Sequence, residues 1–285
     1  MKELVLHIGL YKTGSTFLQR EIFRGKFYTF DKSPNNTNVD REQDEKDKSN
    51  LLRRFFTTNK DIPIEEIFSN YRFDSLNVIS HESLINIPCF DDQLGEKDSL
   101  SLFFSKLQEL LIYLRSIGVT LKVFCVFRHQ PDWLASWYAH TCYRSKHPSQ
   151  EDFDKKLAFL LASEFNNTPV LFFSSWIESL KKLLGSTNVL ALPYESLNEI
   201  SFQEHISQFI GTDIGWDDKN KAHNVKSRGN NEWSVTKRAD WGDSRRALTL
   251  SREQERAIQK VFLESNEDLN DIIQSTIPER YYKLI

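Results

Sequence analysis

The sequence predicts an α/β fold in three layers, a central parallel sheet flanked by helices, and three observations predict it. Short apolar runs at 4–8, 76–80, 120–127 and 188–195 have the length and the β-branched or aromatic content of strands. Segments with apolar residues at helical spacing separate them. The run at 120–127, TLKVFCVF, is apolar almost throughout, as a central parallel strand covered on both faces requires. Strands that alternate with helices form a parallel sheet whose functional residues lie beyond the carboxyl ends of the strands.

Each element follows from its own pattern. Leu4 to Ile8 is a strand that runs into Gly9-Leu10-Tyr11-Lys12-Thr13-Gly14-Ser15-Thr16. Phe17, Leu18, Ile22 and Phe23 then mark a helix over 15–23 that starts at this loop. Residues 31–50 hold one clearly apolar residue, Val39, among six acids and four bases, so this stretch reads as an exposed loop or insert, with a substrate lid as its functional alternative. A short helix is expected over 61–68, and the strand at 76–80 is followed at once by His81 and Glu82. Leu100, Phe103, Phe104, Leu107, Leu111, Leu114 and Ile117 keep a 3.6-residue period over 98–118 and close at a glycine, giving an amphipathic helix.

The central strand ends at Arg128, and Pro131 suits the first turn of the next helix, which carries Trp133, Leu134, Ser136, Trp137 and Tyr138. Helices are expected at 151–164, 171–184 and 202–210, with the fourth strand at 188–195. Residues 219–246 carry eight bases against three acids among Asn, Ser and Gly, the pattern of a basic loop able to close over an anion, or of a solvated surface segment. The helix over 251–273 opens on Ser251-Arg252-Glu253-Gln254, a capping box. The whole is expected to be one domain over 1–285, with a polar insert at about 31–60 and the basic loop at about 219–246.

Composition excludes several classes. With 285 residues, 39% hydrophobic and 27% charged, the chain has the makeup of a soluble globular protein able to bury a large core. A net charge of −3 gives no global attraction to nucleic acid, so an anion site must be local. Cys89, Cys125 and Cys142 lie far apart without a C-x-x-C pair, which argues for a reducing compartment and against a disulfide framework or zinc site. The expectation is a cytoplasmic protein, because no run reaches the ~20 apolar residues of a membrane span and the first apolar run is too short for a signal peptide. The sequence contains no internal repeat.

A strand, a turn with two glycines and a lysine, and a helix start present backbone amides to a phosphate. Aligned on G-x-x-x-x-G-K-[ST], Gly9, Gly14 and Thr16 match, but Ser15 stands where the lysine belongs and the lysine is inside the loop, at Lys12. In triphosphate sites that lysine reaches the β- and γ-phosphates, so its displacement argues against ATP or GTP hydrolysis and for a shorter anion without an obligatory metal. Taken alone, the loop also fits a glycine corner with a solvated lysine.

Two features stand together: Lys12-Thr13-Gly14-Ser15-Thr16, and Arg128 at a strand end with Ser136 eight residues on and Tyr138 after it. The pair resembles the sulfotransferases that use 3′-phosphoadenosine 5′-phosphosulfate (PAPS), in particular bacterial carbohydrate-type members, whose fold is of the P-loop type. The resemblance implies that Tyr11, Lys12, Thr13, Gly14, Ser15 and Thr16 hold the 5′-phosphosulfate and that Arg128 and Ser136 hold the 3′-phosphate. It implies a sulfuryl transfer to a hydroxyl of a carbohydrate or other small acceptor, with Lys12 on the bridging oxygen, no metal, no nucleic acid and no membrane span.

Weaker echoes are Tyr194-Glu195-Ser196-Leu197 and Ser265-Asn266-Glu267-Asp268-Leu269. The Ser80-His81-Glu82 segment resembles the S-x-E of the bacterial members, which favours Glu82 as the base, while the phenol and steroid enzymes use a histidine and keep His81 open. Lys226-Ser227-Arg228 before Gly229 stands where cytosolic members have a late basic segment for the 3′-phosphate, with its order and second glycine changed. His7 reads as a packed strand-end residue. The alternatives are a P-loop nucleotide kinase-like enzyme, or an inactive nucleotide-binding protein that kept the fold.

Overall fold

The computed structural model describes residues 2–23, 50–68, 71, 73–85, 87, 90, 99–214, 227–229, 231–242, 244–273 and 275–284. They fall in two compact units, the first made of Met1–Asn86, Asp98–Phe127 and Ile177–His223, the second of Ile87–Lys97, Arg128–Trp176 and Asn224–Ile285.

The first unit is the expected α/β layer structure. Strands β1 (Lys2–Gly9), β2 (Leu76–His81), β3 (Val119–Phe127) and β4 (Val189–Pro193) form one parallel sheet in the order β2-β1-β3-β4. The register sets His7 beside Ser80 on one side and Phe124 on the other, and Phe124 beside Leu190. Because side chains alternate along a strand, Val5, Val78, Phe124, Val126, Leu190 and Leu192 share one face. Helix α1 (Ser15–Phe17) with the turn that follows it covers this face through Phe17, Leu18, Ile22 and Phe23, and α8 (Ile200–Ile210) does so through Phe202, Ile206 and Ile210.

The helix expected over 15–23 is present, but Leu18–Ile22 is a π-turn in which Phe23 N–H donates to Leu18 C=O at 2.8 Å. The pairs Phe17/Ile22 and Leu18/Phe23 are five apart, a spacing that an α-helix splays by ~140° and an i→i+5 turn brings into one sector.

The rest of this unit refines the expected boundaries. The helix α2 at 50–57 buries Leu52, Phe55 and Phe56, so the end of the segment read as a polar insert is amphipathic helix. Residues 24–49 lie outside the described ones. The helix expected at 61–68 is one turn, α3 (Ile64–Ile67), since Pro63 is extended and delays its start. Helix α4 (Ser99–Ser116) packs against β3, and Gly118 after it is left-handed at φ 71. The fourth strand stops at Pro193, two residues short of the expected end, and a 3₁₀ turn over Tyr194–Ser196 follows, closed by Ser196 Oγ donating to Pro193 C=O.

The second unit is built around α5 (Gln130–Thr141), buried on nearly every side. Trp133 and Trp137 stack with centroids 5.8 Å apart. Helix α6 (Gln150–Ala162) is capped by Ser149, and the chain passes through α7 (Phe173–Leu184) back to the first unit. Helix α9 (Arg252–Ile272) opens with the capping box that Ser251 and Gln254 predict.

Part of the basic segment proves to be structured. Strands β5 (Ser227–Gly229), β6 (Glu232–Ser234) and β7 (Ala247–Thr249) form an antiparallel sheet, and Trp233, Val235, Ala239 and Trp241 are buried. The eight bases of 219–246 outweigh these few apolar residues in the sequence pattern, which therefore reads as a loop. Cys125 and Cys142 are free and buried, and Cys89 lies outside the described residues. No described helix is long and apolar enough to cross a membrane.

Candidate active site

Two groups of sequence-predicted residues are built separately, one in each unit. In the first, β1 delivers the chain at Gly9 into a loop that passes twice through the left-handed region, at Lys12 (φ 65) and Gly14 (φ 82). A lysine there carries strain of about 1–2 kcal/mol, and left-handed turns of this kind build anion-binding concavities. Space requires the first glycine, and a left-handed backbone with close neighbours favours the second. A Cβ on Gly9 would overlap Ser15 Oγ and come within 3.2 Å of Glu82 Cα, and one on Gly14 would meet Tyr194 Cε2 at 3.1 Å and Leu197 Cδ2 at 3.2 Å. The Tyr194–Leu197 segment thus acts as the loop's backing.

The loop hydroxyls divide into two sets. Thr13 Oγ1 donates to Leu10 C=O at 2.6 Å and Ser15 Oγ to the same carbonyl at 3.4 Å, which tightens the turn. Thr16 Oγ1 instead donates to Glu82 Oε1 at 3.1 Å, so the carboxylate after β2 is drawn to the start of α1. Tyr11 and Ser83 hydroxyls hydrogen-bond to each other. His81 is buried, and its Nδ1 accepts from Ser83 N–H at 3.0 Å, whereas Glu82 is only partly buried. The structure therefore brings Gly9, Tyr11, Thr16 and Glu82 to one cluster and turns His81 into the fold.

His7 is fully buried, stacked on Phe124 at 4.9 Å and hydrogen-bonded through Nδ1 to Ser80 Oγ at 2.6 Å. Burial lowers its pKa from 6.5 to about 3. The unfolded chain binds this proton more tightly than the folded one, so His7 contributes stability that is complete above pH 6.5 and is lost as pH falls toward 3. In urea unfolding, stability at pH 4.5 should fall relative to pH 7 by about 2 to 3 kcal/mol more in the native protein than in His7→Gln. Equal losses in the two proteins would show that this proton plays no part.

In the second unit Arg128 directly follows β3, and Ser136 lies two turns along α5. Ser136 is buried at 1% exposure, and its Oγ has no hydrogen-bond partner among the described residues. Such an atom costs about 1–3 kcal/mol unless something satisfies it. Tyr138, by contrast, is engaged in the fold: its hydroxyl reaches Ser149 C=O at 3.2 Å and Asp152 Oδ2 at 2.5 Å. Burial and the hydrogen bond to Asp152 push its pKa well up.

One group near Arg128 had no sequence signal. Asp132 pairs with Arg280 at 2.6 Å, 148 residues away, and with buried His129 at 3.5 Å. Burial raises the Asp132 pKa, but the His129 hydrogen bond and the charges of Arg280, His129 and Arg128 outweigh it and hold the pKa at about 2. Gln130 and Asn266 exchange two hydrogen bonds, at 2.8 and 3.1 Å, which gives the Ser265–Leu269 echo a structural role. Lys226 lies outside the described residues, and Ser227 and Arg228 belong to β5.

The chain matches no protein-family model and no curated protein. Among solved structures it is similar to a sulfotransferase from Alicyclobacillus acidocaldarius, with a TM-score of 0.54 and 10% sequence identity over 98% of each chain. The likeness is one of fold, an α/β arrangement with a central parallel sheet flanked by helices.

Proposed function

We propose that this protein transfers a sulfuryl group from PAPS to a hydroxyl of a carbohydrate or other small acceptor by in-line displacement. The observation that carries the reading is the Thr16–Glu82 hydrogen bond, which sets a carboxylate at the lip of a lysine-bearing anion loop. A proton acceptor is required there by hydroxyl transfer. The sulfotransferase fold, the two crowded glycines of the loop and the orphaned Ser136 hydroxyl support the same reading.

Bound PAPS supplies an activated sulfuryl group on a phosphate leaving group. The loop from Tyr11 to Thr16 takes the 5′-phosphosulfate end through its backbone amides. Arg128 takes the 3′-phosphate with a bidentate fork, and Ser136 donates its hydroxyl; Lys226, Ser227 and Arg228 are proposed to add to this grip. Glu82 removes the acceptor's proton as its oxygen bonds to sulfur. Lys12 would supply positive charge to the bridging oxygen, where charge collects as the sulfur–oxygen bond breaks, and so would stabilise the transition state more than the ground state. None of these roles calls for a metal. Burial and the Ser83 hydrogen bond make His81 the lesser candidate for the base.

The test compares labelled PAPS with ATP against saccharide, lipid and phenol acceptors. Transfer from PAPS alone is the expected result; transfer from ATP would favour the kinase reading, and nucleotide binding without transfer an inert binding protein. Arg128→Ala should weaken binding of adenosine 3′,5′-bisphosphate about 10- to 100-fold in calorimetry, the worth of a charged hydrogen-bonding pair. Unchanged affinity would remove Arg128 from the site.

A further inference from the structure

In the first unit three buried polar side chains meet at Ser80. Ser80 Oγ lies 2.6 Å from His7 Nδ1 and accepts from Gln19 Nε2 at 3.1 Å. Their exposures are 0, 0 and 4% for His7, Ser80 and Gln19. With Ser80 donating to Nδ1, His7 is the Nε2–H tautomer. His7 Nε2 and Gln19 Oε1 then have no hydrogen-bond partner among the described residues. A core of this sequence would be more stable with apolar groups in their place, since two buried polar atoms go unsatisfied.

Periodicity explains what the cluster is tied to. Gln19 follows Thr16 by three residues, so the two share a helix face. Ser80 lies two residues before Glu82, which follows the end of β2 in a turn. His7 precedes Gly9 by two and is the register partner of Ser80. Two side-chain hydrogen bonds thus join α1 and its turn to the β2 chain, Thr16 to Glu82 at the candidate site and Gln19 to Ser80 in the core, and His7 extends the second. The π-turn over Leu18–Ile22 belongs to the same element as Gln19.

We propose that Gln19, Ser80 and His7 are positioning residues that fix the end of β2 against α1 and the start of the loop, and so hold the Glu82 carboxylate for proton removal. The inference rests on the proposed reading of Glu82 as base. Misplacement of a catalytic group by about 1 Å costs up to ~100-fold, so Ser80→Ala should lower kcat about 10- to 100-fold with the KM for PAPS little changed.

A double-mutant cycle with Glu82→Gln separates this from a structural defect. If Ser80 acts through Glu82, Ser80→Ala costs nothing further in the Glu82→Gln background, whereas a general loss of fold lowers kcat by the same factor in both. Ser80→Thr, which keeps the hydroxyl, should recover most of the rate. Independently of turnover, ¹⁵N NMR should find His7 as the neutral Nε2–H tautomer at pH 5. Multiplicative losses in the cycle, with the native enzyme active, would overturn the inference while leaving the donor reading intact. A native enzyme without PAPS-dependent transfer would overturn that reading, and this inference with it.

Discussion

Lys12→Ala is expected to lower PAPS-dependent turnover about 10²- to 10³-fold, the usual loss for one donor aimed at developing charge, with a smaller effect on the KM for PAPS. The residue stands in the left-handed region at φ 65, between a strand that ends at Gly9 and a helix that starts at Ser15. A backbone strained at a lysine is retained where the surrounding structure over-determines it, and here Thr13, Ser15 and the Tyr194 backing do so. Lys12→Gly relieves the strain and removes the same charge. It should therefore lose activity as Lys12→Ala does while unfolding at a higher denaturant concentration. Lys12→Arg keeps the charge but replaces a compact ammonium with a planar fork, so partial activity is expected. Normal turnover by purified Lys12→Ala would exclude the assignment.

Glu82→Gln should lower the rate about 10²- to 10⁴-fold, the contribution of a positioned base. The amide oxygen can still accept from Thr16 Oγ1, so the loop keeps its geometry and only proton removal is lost. His81→Asn is the internal comparison. His81 is buried and accepts from Ser83 N–H, so its replacement should change stability more than turnover. Near-native turnover in Glu82→Gln, together with a large loss of turnover in His81→Asn, would exchange their roles.

Much of the fold was legible because it rests on short-range periodicity. The run TLKVFCVF could be nothing but a buried strand, and the 3.6-residue repeat from Leu100 to Ile117 gave α4 to within a residue or two. The Ser251 capping box formed as written, since its partners are three residues apart. Where proline or helix type decided the outcome, the sequence was less clear. Pro193 ended β4 early, Pro63 shortened α3, and the five-residue spacing of Phe17/Ile22 produced a π-turn inside an apparent α-helix. In the basic segment, charge hid the buried Trp233 and Trp241 of a small sheet.

By itself the sequence determined the α/β class, the glycine loop with its displaced lysine, and the pairing of that loop with Arg128 and Ser136 as motifs. Each motif taken singly is a local pattern, carried by residues within a few positions of one another. Only the tertiary structure decided which side chains meet. Strand register put His7 beside Ser80, the start of α1 drew Glu82 to Thr16, and the final turn of the chain brought Arg280 to Asp132. Contacts between residues 66, 73 and 148 positions apart depend on how strands pair and helices pack, and one linear sequence does not reveal those distances. The same holds around Gly14, where a left-handed φ of 82 favours glycine and the fold adds Tyr194 and Leu197 against the position of a Cβ.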